Sequence, residues 1–247
     1  MAKIIANYAT DLPRADVKGT PTTVDVKSVG TSYGYSVQEM RASRMTGKSL
    51  DTRKAEAARF QNDTKQNMIA WAGDPDNNLV GILMTGNNVP LYTVPACAAG
   101  GTSMEKMTPE EILGVFNGIV KSQAIITSNV EKSDTVFLPS SVYIHLATTK
   151  IADSEKTILT FLKENQPYLK NFIDAPELEA DSACNPYKSR VMVFCKLDER
   201  KFGLEIPMEF YQYPAQPTKL EVEVPCESRI AGVMIYYPMS LMIVSGI

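Results

Sequence analysis

Val24-Asp25-Val26-Lys27 alternates strictly between apolar and polar positions, the two-residue period of a half-buried strand. Upstream, Lys18-Gly19-Thr20-Pro21 is a turn signal, so residues 1–36 are expected to form an extended β-hairpin arm. Val17, Val24 and Val26 are among its few large apolar side chains. A two-stranded ribbon this polar is marginal alone in water. It must borrow apolar surface, either from its own globule or from a neighbouring molecule.

The period lengthens at Val37. Val37-Gln38-Glu39-Met40-Arg41-Ala42 predicts a short helix, broken at Gly47. Ser49 is placed to cap a long helix over about 50–72, ended by Gly73-Asp74-Pro75. Its stripe of Leu50, Ala57, Met68 and Trp71 is interrupted by Lys54, Gln61, Thr64 and Lys65, as in a strut that touches many partners weakly. Leu79-Val80-Gly81-Ile82-Leu83 reads as a strand between turns, followed by a loose loop through Gly100-Gly101.

Thr108-Pro109-Glu110-Glu111 joins a capping box to a proline at the first helical position, which predicts a helix over 108–126. Its buried face is expected to hold Ile112, Leu113, Val115, Phe116, Ile119 and Val120. A short buried strand at 135–138 precedes a helix from near Pro139 and another over about 154–164. Strands are expected at 190–195, 220–224 and 232–237. Prolines 207, 214, 217, 225 and 238 punctuate this last region and should confine strands to edges and short runs. The mixture predicts an α+β fold, and no internal repeat is visible.

The length, 247 residues, allows one large domain or two small ones. No stretch approaches the ~18 consecutive apolar residues of a membrane span, and the first eight residues are too polar for a secretory signal. Cys97, Cys184, Cys195 and Cys226 form no CxxC pair and read as reduced, buried thiols. Charge is uneven. Residues 1–72 hold eleven Lys/Arg against seven Asp/Glu, whereas the remainder holds fourteen against twenty-one. Such asymmetry steers copies toward one another or toward a polyanion, although a solvated surface is the simplest account.

Candidate chemistry is sparse. Thr46-Gly47-Lys48-Ser49 before a helix suggests a phosphate loop, but Ala42 stands where the first glycine is needed and no buried strand precedes it. A helix break followed by an N-cap explains it better. His145 is the one histidine, expected as a satisfied, partly buried imidazole. It leaves no metal spacing and no nucleophile–base set. Glu110 and Glu111 suit a helix N-terminus. Glu221 and Glu223 suit an outer strand face. The aromatic runs Phe210–Tyr213 and Tyr236-Tyr237 lack interleaved basic residues, which favours core or subunit-interface packing over nucleic-acid stacking.

Ser32–Glu39, then Met45–Arg59, Gly73-Asp74, Leu79–Leu83, Thr135–Pro139, Pro225–Val233 and the closing Pro238-Met239-Ser240 to Gly246-Ile247 together resemble an encapsulin-like family of tailed-phage major capsid proteins. The order and spacing of these segments over nearly the whole chain carry the resemblance. It implies the Hong Kong 97-type capsid fold: an E-loop arm over 1–36, a peripheral domain over 37–115 and 205–235 with a spine helix at about 50–72, and an axial domain over 116–204 and 236–247. Relative to that family, the sequence is expected to lack a leader ahead of Met1.

The implied function is a major capsid protein, not an enzyme, that self-assembles into an icosahedral shell around a phage's double-stranded DNA. No cofactor, metal or membrane is expected. Its partners would be itself in hexamers and pentamers, portal, scaffold or cement proteins, and packaged DNA held non-specifically. Assembly would take place in the host bacterial cytoplasm. Val17, Lys18, Val24 and Val26 would lie on the inter-subunit arm, and Arg41, Arg44 and Lys48 would face DNA. Lys18 and Lys27 are available for the isopeptide cross-links of the fold's namesake, but no partner Asn or catalytic carboxylate is marked, so none is expected. Three other readings remain: a nanocompartment shell loaded with a protein cargo, a nucleotide-binding enzyme using Gly47-Lys48-Ser49, and a monomeric ligand-binding domain.

Overall fold

A computed structural model describes Arg14 and residues 23–47, 52–151 and 155–247. In chain order the elements are β1 (Lys27–Ser36), α1 (Val37–Thr46), α2 (Arg53–Ala72), β2 (Leu91–Thr93), α3 (Pro109–Ile126), β3 (Thr135–Leu138), α4 (Ser140–Thr148) and α5 (Ile158–Asn165). There follow β4 (Asn171–Asp174), β5 (Val191–Cys195), β6 (Phe202–Glu205), β7 (Met208–Gln212), β8 (Gln216–Thr218), β9 (Glu221–Ile230), β10 (Gly232–Ile235) and β11 (Leu241–Ser245).

Three sheets organise them. One runs β2-β11-β5-β3-β4; a second places β9 between β1 on one side and β7 and β8 on the other; β6 and β10 form a two-stranded ribbon. In the five-stranded sheet, β5 and β11 are buried on both faces, which accounts for their unbroken apolar runs. Because side chains alternate along a strand, Met192, Phe194, Met242 and Val244 enter one core with α3, α4 and α5. Val191, Val193, Cys195, Leu241 and Ile243 enter the opposite core with Trp71 of α2. Phe116 is central to the first core, its ring 5.8 Å from Phe194 and 6.3 Å from Phe172. Trp71 meets Phe137 edge to face at 5.3 Å in the second. Each large apolar side chain so buried contributes about 1.5–3 kcal/mol.

The α3 prediction matches closely. Thr108 Oγ accepts from Glu111 N while the Glu111 carboxylate accepts from Thr108 N, and Ile112, Val115, Phe116, Ile119 and Val120 are buried. Gln123 shares that face: its Oε1 accepts from Ser133 N at 2.9 Å and Ser133 Oγ at 2.8 Å. Leu113 is only partly buried.

Four expectations change. Residues 79–83 are not a strand. Ile82 N donates to Ala70 O at 2.9 Å and Leu83 N to Trp71 O at 2.8 Å, so this segment caps the free carbonyls of α2. Gly81 makes that approach possible, since a Cβ there would sit 2.1 Å from Gly73 N. Second, Pro225 lies inside β9 with strands on both sides; its carbonyl accepts from Tyr213 N where β7 has ended and β8 has not begun, so the missing N–H faces a gap in the ladder. Third, α3 crosses the expected 115/116 boundary without a break. Residues 94–112 and β2 belong with the five-stranded lobe, because Val94, Met104 and Ile112 share its core. Fourth, Lys27–Ser36 pairs over its whole length with Glu221–Ile230, so the last ten residues of the expected hairpin are a strand of the chain's own sheet. The turn at 18–21 lies outside the described residues.

Candidate assembly site

Helix α2 lies across β1 and β9, and among the apolar side chains of its contact face it buries a polar one, Asn62. Ala58, Asn62, Ile69 and Trp71 are its buried residues; of the stripe read from the sequence, Trp71 is buried, Met68 is partly buried and Ala57 is exposed, while Leu50 lies outside the described residues. Asn62 and Ser228 are 1% and 0% exposed. Ser228 Oγ donates to Asn62 Oδ1 at 2.8 Å, Asn62 Nδ2 donates to Val29 O at 3.3 Å, and Gln66 Nε2 donates to both Asn62 Oδ1 and Ser228 Oγ at 2.9 Å. The cluster pins the helix to both long strands through directional bonds, which fix its position along them more sharply than apolar packing does.

A second tie joins α1, α2 and β1. Lys54 Nζ donates to Gly34 O at 2.9 Å and to Glu39 at 3.0 Å, and lies 4.7 Å from the centroid of the Tyr35 ring. Glu39 also completes the capping box of α1 by accepting from Ser36 N. These bonds, Lys54 first, hold its carboxyl below the usual range. With Glu39 so engaged, Arg41 and Arg44 stand exposed on α1, a helix without a buried residue, and make no ion pair among the described residues. Arg44 also lies in the last turn, where a cation suits the helix dipole. Lys48, grouped with them by sequence, lies outside the described residues, as does Ser49.

Val24 and Val26, just ahead of β1, are 37% and 48% exposed. Lys27 pairs with Asp25 at 3.6 Å. Val17 and Lys18 lie outside the described residues. Two apolar side chains are therefore exposed just ahead of β1.

Among the described residues no three His, Cys, Asp or Glu side chains stand close enough to share a metal ion. His145 is not the satisfied imidazole expected: Nδ1 is 3.4 Å from Thr149 Oγ1, but Nε2 is shielded without a hydrogen-bond partner. All four cysteines are free and buried, and burial, reinforced by Asp134, pushes the Cys195 thiol up to about 12. Such a thiol is a poor nucleophile. A shallow cleft of about 430 Å³, lined by Ser36 and residues 218–221, has Glu221 as its one carboxylate among the described residues. No helix among the described residues is long and apolar enough to cross a membrane. Tyr211, Tyr236 and Tyr237 are more than half exposed, so core packing does not explain them.

The architecture has counterparts among solved structures. The capsid of Myoviridae phage XM1 superposes with a TM-score of 0.73 at 17% identity, covering 95% of this chain and 81% of that one. A virus-like particle from Pyrococcus furiosus gives 0.60 at 10% identity, covering 93% and 80%. A Mycobacterium phage Ogopogo structure gives 0.53 at 15% identity, covering 96% and 84%. Identities this low establish likeness of fold. No curated protein matches the sequence. The sequence pattern of the major capsid protein family, in contrast, matches residues 1–247. A helix strut clasped to a long sheet and a second lobe with its own core suit such a role. The chain belongs to the major capsid protein family: it is a shell-building subunit with the Hong Kong 97-type fold.

Proposed function

We propose that copies of this chain close into an icosahedral shell around a phage's double-stranded DNA, and that its work is mechanical, not enzymatic. The observation that carries this reading is the family match over the full sequence. Rings of subunits form by head-to-tail contacts that close on rotation, and many modest contacts per subunit add through multivalency. In this reading the lobe built on β2, β11, β5, β3 and β4 gathers at the centre of each hexamer or pentamer. The sheet of β1, β9, β7 and β8 under α2 forms the periphery. The arm bearing Val17, Lys18, Val24 and Val26 reaches across a neighbour, which supplies the apolar cover it lacks.

Arg41, Arg44 and Lys48 face the packaged DNA and bind its phosphates without regard to sequence. Assembly takes place in the bacterial cytoplasm, with portal, scaffold or cement proteins as further partners. The test is to purify the particles, image them and digest them with nuclease. DNA protected within closed shells supports the reading; shells filled with a protein cargo and free of DNA would favour a nanocompartment instead.

A further inference from the structure

An apolar patch surrounds the C-terminal end of α3. Three segments meet there. Ile126 ends the helix, and the turn after it returns Asn129 N to Ala124 O at 2.7 Å, leaving Val130 78% exposed. Gln123, one turn before, directs its Nε2 to the carbonyls of Met239 and Ser240. Tyr236 N and Tyr237 N both donate to Lys201 O, and Lys201 Nζ is bonded to Glu131. The exposed side chains at this junction are Ile126, Val130, Tyr236, Tyr237 and Met239, each 48% exposed or more. Together they present on the order of 500 Å², the size of the largest apolar patch on a typical single chain, which is often functional.

We infer that this patch is a contact between copies of the chain within the shell, an inference that rests on the shell-building role proposed above. Two physical arguments select a second copy as its occupant. The first is charge. A subunit of net charge -3 repels its copies, so a self-contact is best placed where no bare charge must be desolvated. Glu131 and Lys201 already neutralise each other beneath the patch, with side chains 19% and 12% exposed. Glu199 and Arg200, exposed nearby, supply a polar rim of both signs.

The second argument is area. A stable isolated pair buries roughly 800 Å² on each partner. The patch falls short of that, yet it suffices for one of several contacts that a subunit makes in a closed lattice. A surface of this size would leave the free chain monomeric and would count only in the assembled particle.

Two measurements on the full chain decide it. Hydroxyl-radical footprinting should find Tyr236, Tyr237 and Met239 strongly protected in assembled particles and reactive in dissociated subunits. Separately, Val130→Asp and Tyr237→Asp should leave the circular dichroism and melting of dissociated subunits unchanged but lower particle yield at least about tenfold, as expected for a charge driven into an interface centre. Equal reactivity in the two states would overturn the inference, as would variant particles at full yield, while the shell-building reading stood. Protection appearing only in complete virions, not in shells of this chain alone, would assign the patch to another virion protein and also overturn it. Failure of the unsubstituted chain to form particles would overturn both.

Discussion

Asn62 on α2 and Ser228 on β9 stand 166 positions apart in the sequence and share a buried hydrogen bond of 2.8 Å. Asn62→Ala removes the acceptor for Ser228 and Gln66 and the donor to Val29, leaving buried polar groups unpaired. It should cost about 2–4 kcal/mol in urea unfolding of dissociated subunits. Ser228→Ala should cost less, and the double variant should fall short of the sum of the two, because both act on one network. Additive losses would show that the two residues are energetically independent.

Gly81→Ala places a methyl group against the backbone of residues 71–73, with no flexible side chain to yield. The expected loss is at least about 3 kcal/mol, or failure to accumulate folded protein. Gly114→Ala makes a control, since nothing lies within 4 Å of a Cβ there and alanine suits a helix interior. Thermal melting of the two variants should separate them widely.

Glu39 has its carboxyl pKa lowered from 4.5 by Lys54 and by Ser36 N. A lowered folded value means that the charged form stabilises the fold above the ordinary pKa, and that this contribution fades as pH falls through the lower, folded value. Glu39→Gln should therefore be less stable than the native sequence at neutral pH, with the difference closing in acid. Glu111, held low first by Ala98 N and then by Thr108 N, should behave alike. A gap between native and Gln variants that is constant from neutral pH to below the folded pKa would refute the assignment.

If Arg41 and Arg44 each neutralise a phosphate, replacing both with Gln should reduce the slope of log affinity against log salt by about two in DNA binding by dissociated subunits. Melting should hardly change, because neither side chain is buried or paired among the described residues. An unchanged slope would place them away from DNA.

Local signals were readable from the sequence because their physics is local. Thr108, Pro109 and Glu111 set the start of α3 within one turn, and Thr135–Leu138 appeared as the buried strand it is. Long-range pairing was not readable. Nothing near Lys27–Ser36 points to Glu221–Ile230 as its partner, and Pro225 argued against a central strand. The edge strand β4 and the three-residue β2 and β8 are too short to show a period. The clasp on α2 was missed for a related reason: Asn62 and Gln66 look like solvent-facing residues until Ser228 is brought beneath them. The family resemblance carried what local pattern did not.

Cryo-electron microscopy of the purified, unsubstituted chain tests the shell-building role most directly. Closed particles of many subunits, with the residues ahead of Lys27 lying across an adjacent subunit, are the expected result. A homogeneous 27.2 kDa monomer under all conditions that support its folding, with those residues packed only on their own body, would contradict it.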